Sequence, residues 1–133
     1  MYAVSPAVAV APDAVRTLLV DDDAEFRALC REILELSGNF VVVAEAANGA
    51  DAVARVRAHR PDLVLLDVSM PMQDGLEALP RIRRASPRSA VVMLSAEAGC
   101  LAPKARRLGA AVYLQKGVEP DALVAALRRV TRG

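Results

Sequence analysis

The chain has 133 residues, the size of one ordinary domain, and 54% of them are apolar while 3% are aromatic, which predicts a core of valine, leucine and alanine. Lysine plus arginine number 17 and aspartate plus glutamate 16, a balance that gives no bulk charge to draw the protein to nucleic acid or to a membrane surface. Cys30 and Cys100 form no C-x-x-C pair, which argues against a zinc site or disulfide framework and fits a reducing, cytoplasmic setting.

In chain order, Met1 to Val15 is rich in Ala, Val and Pro and lacks the basic start of a signal peptide, so it reads as a disordered tail ahead of a domain over residues 16–133. Thr17-Leu18-Leu19-Val20 is an apolar strand that runs into Asp21, Asp22 and Asp23. Phe26, Leu29, Cys30, Ile33 and Leu36 recur at helical spacing up to Gly38, predicting a first helix with Asp23 as its cap. Phe40 to Ala44 is a β-branched run, and Asn48-Gly49, Val53 and Val56 mark a second helix that Pro61 ends. Leu63 to Leu66 is apolar without alternation, the mark of a strand buried on both faces, and it stops on Asp67 before a turn with Pro71, Asp74 and Gly75. A third helix is expected near Leu76 to Arg84, short or kinked at Pro80. Ala90 to Leu94 is a fourth strand ending on Ser95. Pro103 cannot sit inside a regular helix, so the fourth helix is confined to about Pro103 to Leu108, after an irregular loop over Ala98 to Ala102. Ala111 to Leu114 is a fifth strand, followed by Gln115 and Lys116, and Glu119-Pro120 opens a last helix with Leu123, Val124, Leu127 and Val130 on its apolar face. No apolar run reaches the roughly 20 residues that span a bilayer.

Strands alternating with helices across short connections predict an α/β fold, a doubly wound five-stranded parallel sheet with helices on both faces. In such folds the working crevice lies at the carboxyl ends of the strands, where Asp21, Asp22, Asp67, Ser95 and Lys116 would meet. Three carboxylates about 4 Å apart repel by roughly 4 kcal/mol per pair at an effective dielectric of about 20. Either their pKa values rise or a cation joins them, and an all-oxygen cluster opposed by one lysine suits Mg²⁺. Asp67 can then act as a nucleophile toward a phosphoryl group whose oxygens are held by the metal, Lys116 and the Ser95 hydroxyl. No Gly-rich phosphate loop follows the first strand, which argues against a nucleotide- or flavin-binding module.

Val20-Asp21-Asp22, Leu66-Asp67-Val68-Ser69-Met70-Pro71 with Asp74-Gly75, Ser95-Ala96 and Tyr113-Leu114-Gln115-Lys116 resemble, in this order, the receiver domain of two-component response regulators over residues 16–132. The resemblance implies the flavodoxin-like strand order 2-1-3-4-5. It implies that Asp67 accepts a phosphoryl group from a phosphohistidine on a sensor histidine kinase or phosphotransfer protein, or from a small phosphodonor. Mg²⁺ would be bound by Asp22, Asp67 and the backbone carbonyl of Ser69, with Asp21 acting through a water. Lys116 would pair with the phosphoryl group, and Ser95 and Tyr113 would be the switch residues. Ser95 stands where threonine is commoner and Gly117 where many relatives have proline, so the chemistry is kept while the loop after Lys116 is loosened.

A domain of this kind modifies only itself and is not an enzyme in the usual sense. Its output would pass to a downstream protein target, to an output domain outside this chain, or to a second copy of the chain on phosphorylation, with no direct nucleic-acid contact and no membrane partner. An alternative is the regulatory piece of a longer DNA-binding transcription factor, since this chain has no helix-turn-helix pattern of its own. An aspartate-dependent phosphohydrolase is less well supported, because Ser69 stands where that chemistry wants a second aspartate.

Overall fold

The computed structural model describes residues 13–68, 75–96 and 101–131. In chain order they form β1 (Val15–Val20), α1 (Ala24–Ser37), β2 (Phe40–Ala46), α2 (Gly49–His59), β3 (Leu63–Asp67), α3 (Gly75–Ala85), β4 (Ala90–Ser95), α4 (Ala102–Arg107), β5 (Val112–Gln115) and α5 (Pro120–Thr131). The strands make one sheet in the order β2-β1-β3-β4-β5, every pair parallel. The fold class and strand order expected from the sequence are those observed. No described helix is long and apolar enough to cross a membrane.

β3 shows why an unbroken apolar run means a central strand. Its side chains alternate between two cores: Val64 and Leu66 face Val53, Val56, Leu79 and Ile82, while Leu63 and Leu65 pack in a second cluster with Cys30, Leu34, Leu123 and Leu127. Successive residues of a strand point to opposite faces, so a strand covered on both sides has no polar position to alternate with. Asp67, where the run stops, is the last residue of the strand.

The helix ends follow their sequence signals. The Asp23 side chain accepts from the N–H groups of Glu25 and Phe26 and caps α1, which ends on Gly38 in the left-handed conformation, φ 90°. Asn48 caps α2 through the N–H of Asp51.

Two strands differ from expectation. β1 begins at Val15, a residue the sequence assigned to the tail, because the Val15 N–H donates to the Asn39 carbonyl at 2.8 Å and so joins the sheet. β2 continues through Glu45 and Ala46, which pair with Leu19 and Val20 beyond a register shift between Thr17 and Leu18. α3 runs from Gly75 to Ala85 with Pro80 inside it. The lost hydrogen bond and ring clash cost about 3 kcal/mol, which the complete burial of Ala78, Leu79 and Ile82 offsets. Pro103 falls at the start of α4, as expected, and the helix is six residues long. Ala98 to Cys100, in the loop expected before it, lie outside the described residues.

Candidate functional site

Because all five strands run the same way, their carboxyl ends share one rim, and the polar residues that interrupt the apolar runs gather there. Asp21 follows β1 directly and is buried, its side chain 5% exposed. Its N–H donates to the Ala46 carbonyl at 3.0 Å, continuing the β1–β2 ladder by one bond, and its Oδ1 accepts from the Asp23 N–H at 2.9 Å. Asp67 is equally buried, on the neighbouring strand. Asp22 is exposed. The carboxylates of Asp21, Asp22 and Asp67 each offer an oxygen, and these lie within 4.8 Å of one another. Asp23, occupied as the α1 cap, is not part of that group.

Lys116 comes from the far edge of the sheet. Its backbone N–H donates to the Ser95 carbonyl at 2.7 Å, fixing where the side chain starts. Its Nζ then lies 2.8 Å from Asp21 Oδ2 and 3.6 Å from Asp67 Oδ1, and 4.6 Å from the centre of the Phe26 ring. Burial opposes charge on this amine, but the hydrogen bond to Asp21 and the attraction of both carboxylates outweigh it, so the ammonium is held above the ordinary lysine value.

Ser95 is the last residue of β4, buried, one position beyond Leu94, which pairs with Asp67. Tyr113 lies on β5 opposite Met93 and packs against the core on the α2–α3 face; its hydroxyl oxygen is buried with no hydrogen-bond partner among the described residues. The structure therefore brings Asp21, Asp22, Asp67 and Lys116 directly together, sets Ser95 at the end of the adjoining strand, and places Tyr113 within the core layer. Ser69, whose carbonyl the resemblance implies as a ligand, lies outside the described residues.

Three carboxylates and one ammonium are chemically unbalanced. Oxygens on opposite sides of Mg²⁺ stand about 4.2 Å apart at its usual bond length, close to the spread found here, and hard oxygen donors are what that ion takes. The residues fit a divalent cation.

Two residues at this rim escaped the sequence reading. Arg27 Nη1 donates to the Asp21 carbonyl and Arg27 Nε to Glu45 Oε1 at 2.8 Å. The available signal was Arg27 and Arg31 one helical turn apart, opposite a glutamate in a strand.

The response regulator receiver domain model matches residues 17–128. The response regulator UvrY of Escherichia coli K12 is 42% identical over 120 residues, which cover 90% of this chain and 55% of that protein. The chain thus spans about half the length of that curated relative. A LuxR-family two-component response regulator from Aurantimonas sp. SI85-9A1 superimposes with a TM-score of 0.86 at 31% identity, covering 90% of this chain and 86% of that one. A chain of the CheX-CheY-BeF3-Mg complex from Borrelia burgdorferi gives 0.81 at 27% identity, covering 87% and 88%.

Proposed function

Since the chain belongs to the response regulator receiver domain family, we infer that it is a phosphorylation-driven signalling module whose acceptor is the carboxylate of Asp67. The observation that carries this reading is the buried Asp67 carboxylate beside Asp21 and Asp22, with the Lys116 ammonium 3.6 Å from it.

A carboxylate oxygen of Asp67 forms the new P–O bond while the P–N bond to a donor histidine breaks, the electron pair leaving with the imidazole. Lys116, already held charged, moves from its carboxylate partners to the incoming phosphoryl oxygens, and the Ser95 hydroxyl donates to another. Asp21, Asp22 and Asp67 would hold Mg²⁺, with the Ser69 carbonyl completing the set. When bound, the cation offsets the charge gathered by acceptor and phosphate. The Mg and BeF3 in the complex of the Borrelia relative support this choice of ion and chemistry.

Drawing the Ser95 hydroxyl toward a dianion displaces its loop, and Tyr113, whose hydroxyl has no partner among the described residues, is the aromatic that repacks. The receiver unit is proposed over residues 16–133, which takes in every element except the first residue of β1. It modifies only itself and is not otherwise an enzyme. A sensor histidine kinase or phosphotransfer protein supplies the phosphoryl group, and a downstream protein, an output domain or a second phosphorylated copy receives the signal. Relatives of both kinds are matched: UvrY, of which the match covers 55%, and the chemotaxis protein CheY of Bacillus subtilis, of which it covers 95%. Cys30, a free buried thiol, supports a reducing cytoplasmic setting.

The test is acetyl phosphate plus Mg²⁺, read by intact mass. The native chain should gain one phosphoryl group and Asp67→Asn none. A native chain that gains none, under conditions that label a control receiver, would end this reading.

A further inference from the structure

The residue that leads into the acidic loop is held at both of its backbone polar groups, and both holds trace to β2. The Asp21 N–H donates to the Ala46 carbonyl, and the Asp21 carbonyl accepts from Arg27 Nη1. Arg27 is itself braced: its Nε donates to Glu45 Oε1 at 2.8 Å, and Glu45 precedes Ala46 in β2. The other Glu45 oxygen takes Arg31 Nη2 at 2.7 Å and Nε at 3.1 Å, and Arg31 reaches on to Glu35 at 3.2 Å. The Arg27 side chain is 17% exposed and that of Glu45 30%, so this pair is better shielded than an ordinary surface ion pair. Hydrogen bonds from Arg31 first, and then from Arg27, outweigh the effect of burial and keep the Glu45 carboxyl below its usual range.

Arg27 and Arg31 therefore share one carboxylate, but Arg27 is the one that touches the acidic loop. Asp22 is exposed, and the direction in which its side chain leaves is set by the backbone of Asp21 before it. We propose that Arg27, braced by Glu45, is a positioning residue for the divalent-cation site: it fixes the Asp21 carbonyl and thereby keeps Asp22 within reach of Asp21 and Asp67. The inference rests on reading the acidic cluster as a Mg²⁺ site. A guanidinium suits the task because its planar fork serves a carboxylate and a carbonyl at once, whereas an ammonium offers a single point of charge. Removing an outer partner of this kind typically weakens metal binding by about 10- to 100-fold.

Calorimetric titration with MgCl₂ at neutral pH, beside thermal melting without metal, separates positioning from mere support. Arg27→Gln should bind Mg²⁺ about tenfold more weakly than the native chain. Arg31→Gln removes a partner from the same Glu45 without touching the loop, and should melt lower yet bind Mg²⁺ within about twofold of native. Arg27→Lys keeps the charge but not the fork and should fall between, and it carries the comparison alone if Arg27→Gln does not fold. Native-like Mg²⁺ affinity in the Arg27 variants, or an equal loss in Arg31→Gln, overturns the proposal. A native chain that binds no Mg²⁺ overturns the cation reading itself, and the positioning role with it.

Discussion

Gly75 packs so closely on Asp67 that a β-carbon at position 75 would stand 1.9 Å from the Asp67 carbonyl oxygen and 2.9 Å from its carbonyl carbon. The Gly75 N–H also donates to the Val68 carbonyl at 2.8 Å, so the first turn of α3 rests on the backbone that carries the proposed acceptor. The obstacle to any side chain there is main chain within a buried strand, which cannot swing aside.

Gly75→Ala should therefore cost about 1–3 kcal/mol in urea unfolding, the range for overpacking a tight site, and slow labelling by acetyl phosphate because the end of β3 must shift. A native unfolding midpoint would show that α3 can withdraw freely.

Lys116→Gln should have opposite effects with and without metal. The ammonium stands 2.8 Å from one buried carboxylate and 3.6 Å from another, so its loss takes a counter-charge from both, at about 2 kcal/mol of metal-free stability. Removing a cation also removes a competitor for the same oxygens, so Mg²⁺ should bind several-fold more tightly while phosphorylation falls. Calorimetry showing weaker Mg²⁺ binding would mean that the lysine orders the site rather than competing for it.

Stability should fall at both ends of the pH scale for different reasons. Lys116 holds its proton more firmly folded than unfolded, so its contribution is complete below about pH 10.5 and is lost as pH rises through the higher folded value. Cys30 acts in the same direction. Burial first, with Asp21 adding and Lys116 opposing, pushes its pKa up to about 11 from 9.0, so stability drains across that window as the unfolded thiol ionises. Glu45 acts in the opposite direction: its folded value is below 4.5, so its contribution is present above that pH and fades as pH falls through the folded value. Melting temperatures across pH should show a shallower acid fall in Glu45→Gln and a shallower alkaline fall in Lys116→Gln. Superimposable curves would remove these groups from the account.

Tyr113→Phe should stabilise the unphosphorylated protein by about 1 kcal/mol, since it deletes a buried hydroxyl that has no hydrogen-bond partner among the described residues. A lower melting temperature would show that the hydroxyl is satisfied in solution.

The rim was legible in the sequence because each strand there changes character within one residue: Val20 gives way to Asp21, and Leu66 to Asp67. Burial is written locally, in which apolar residues stand side by side, and so are the caps at Asp23 and Asn48 and the start of α4 at Pro103. Interactions between elements are not. Glu45 looks like the end of a strand until Arg27 and Arg31 are found across from it, 18 and 14 residues back in the chain. Pro80 looks like a break in α3 until the burial of Leu79 and Ile82 on either side of it is seen.

Lys116 hangs from the end of β5, a four-residue strand that, among the described residues, lies at the edge of the sheet and pairs with β4. The counter-charge of acids at the ends of two inner strands is thus supplied from the margin of the sheet, 2.8 Å from Asp21 and 3.6 Å from Asp67.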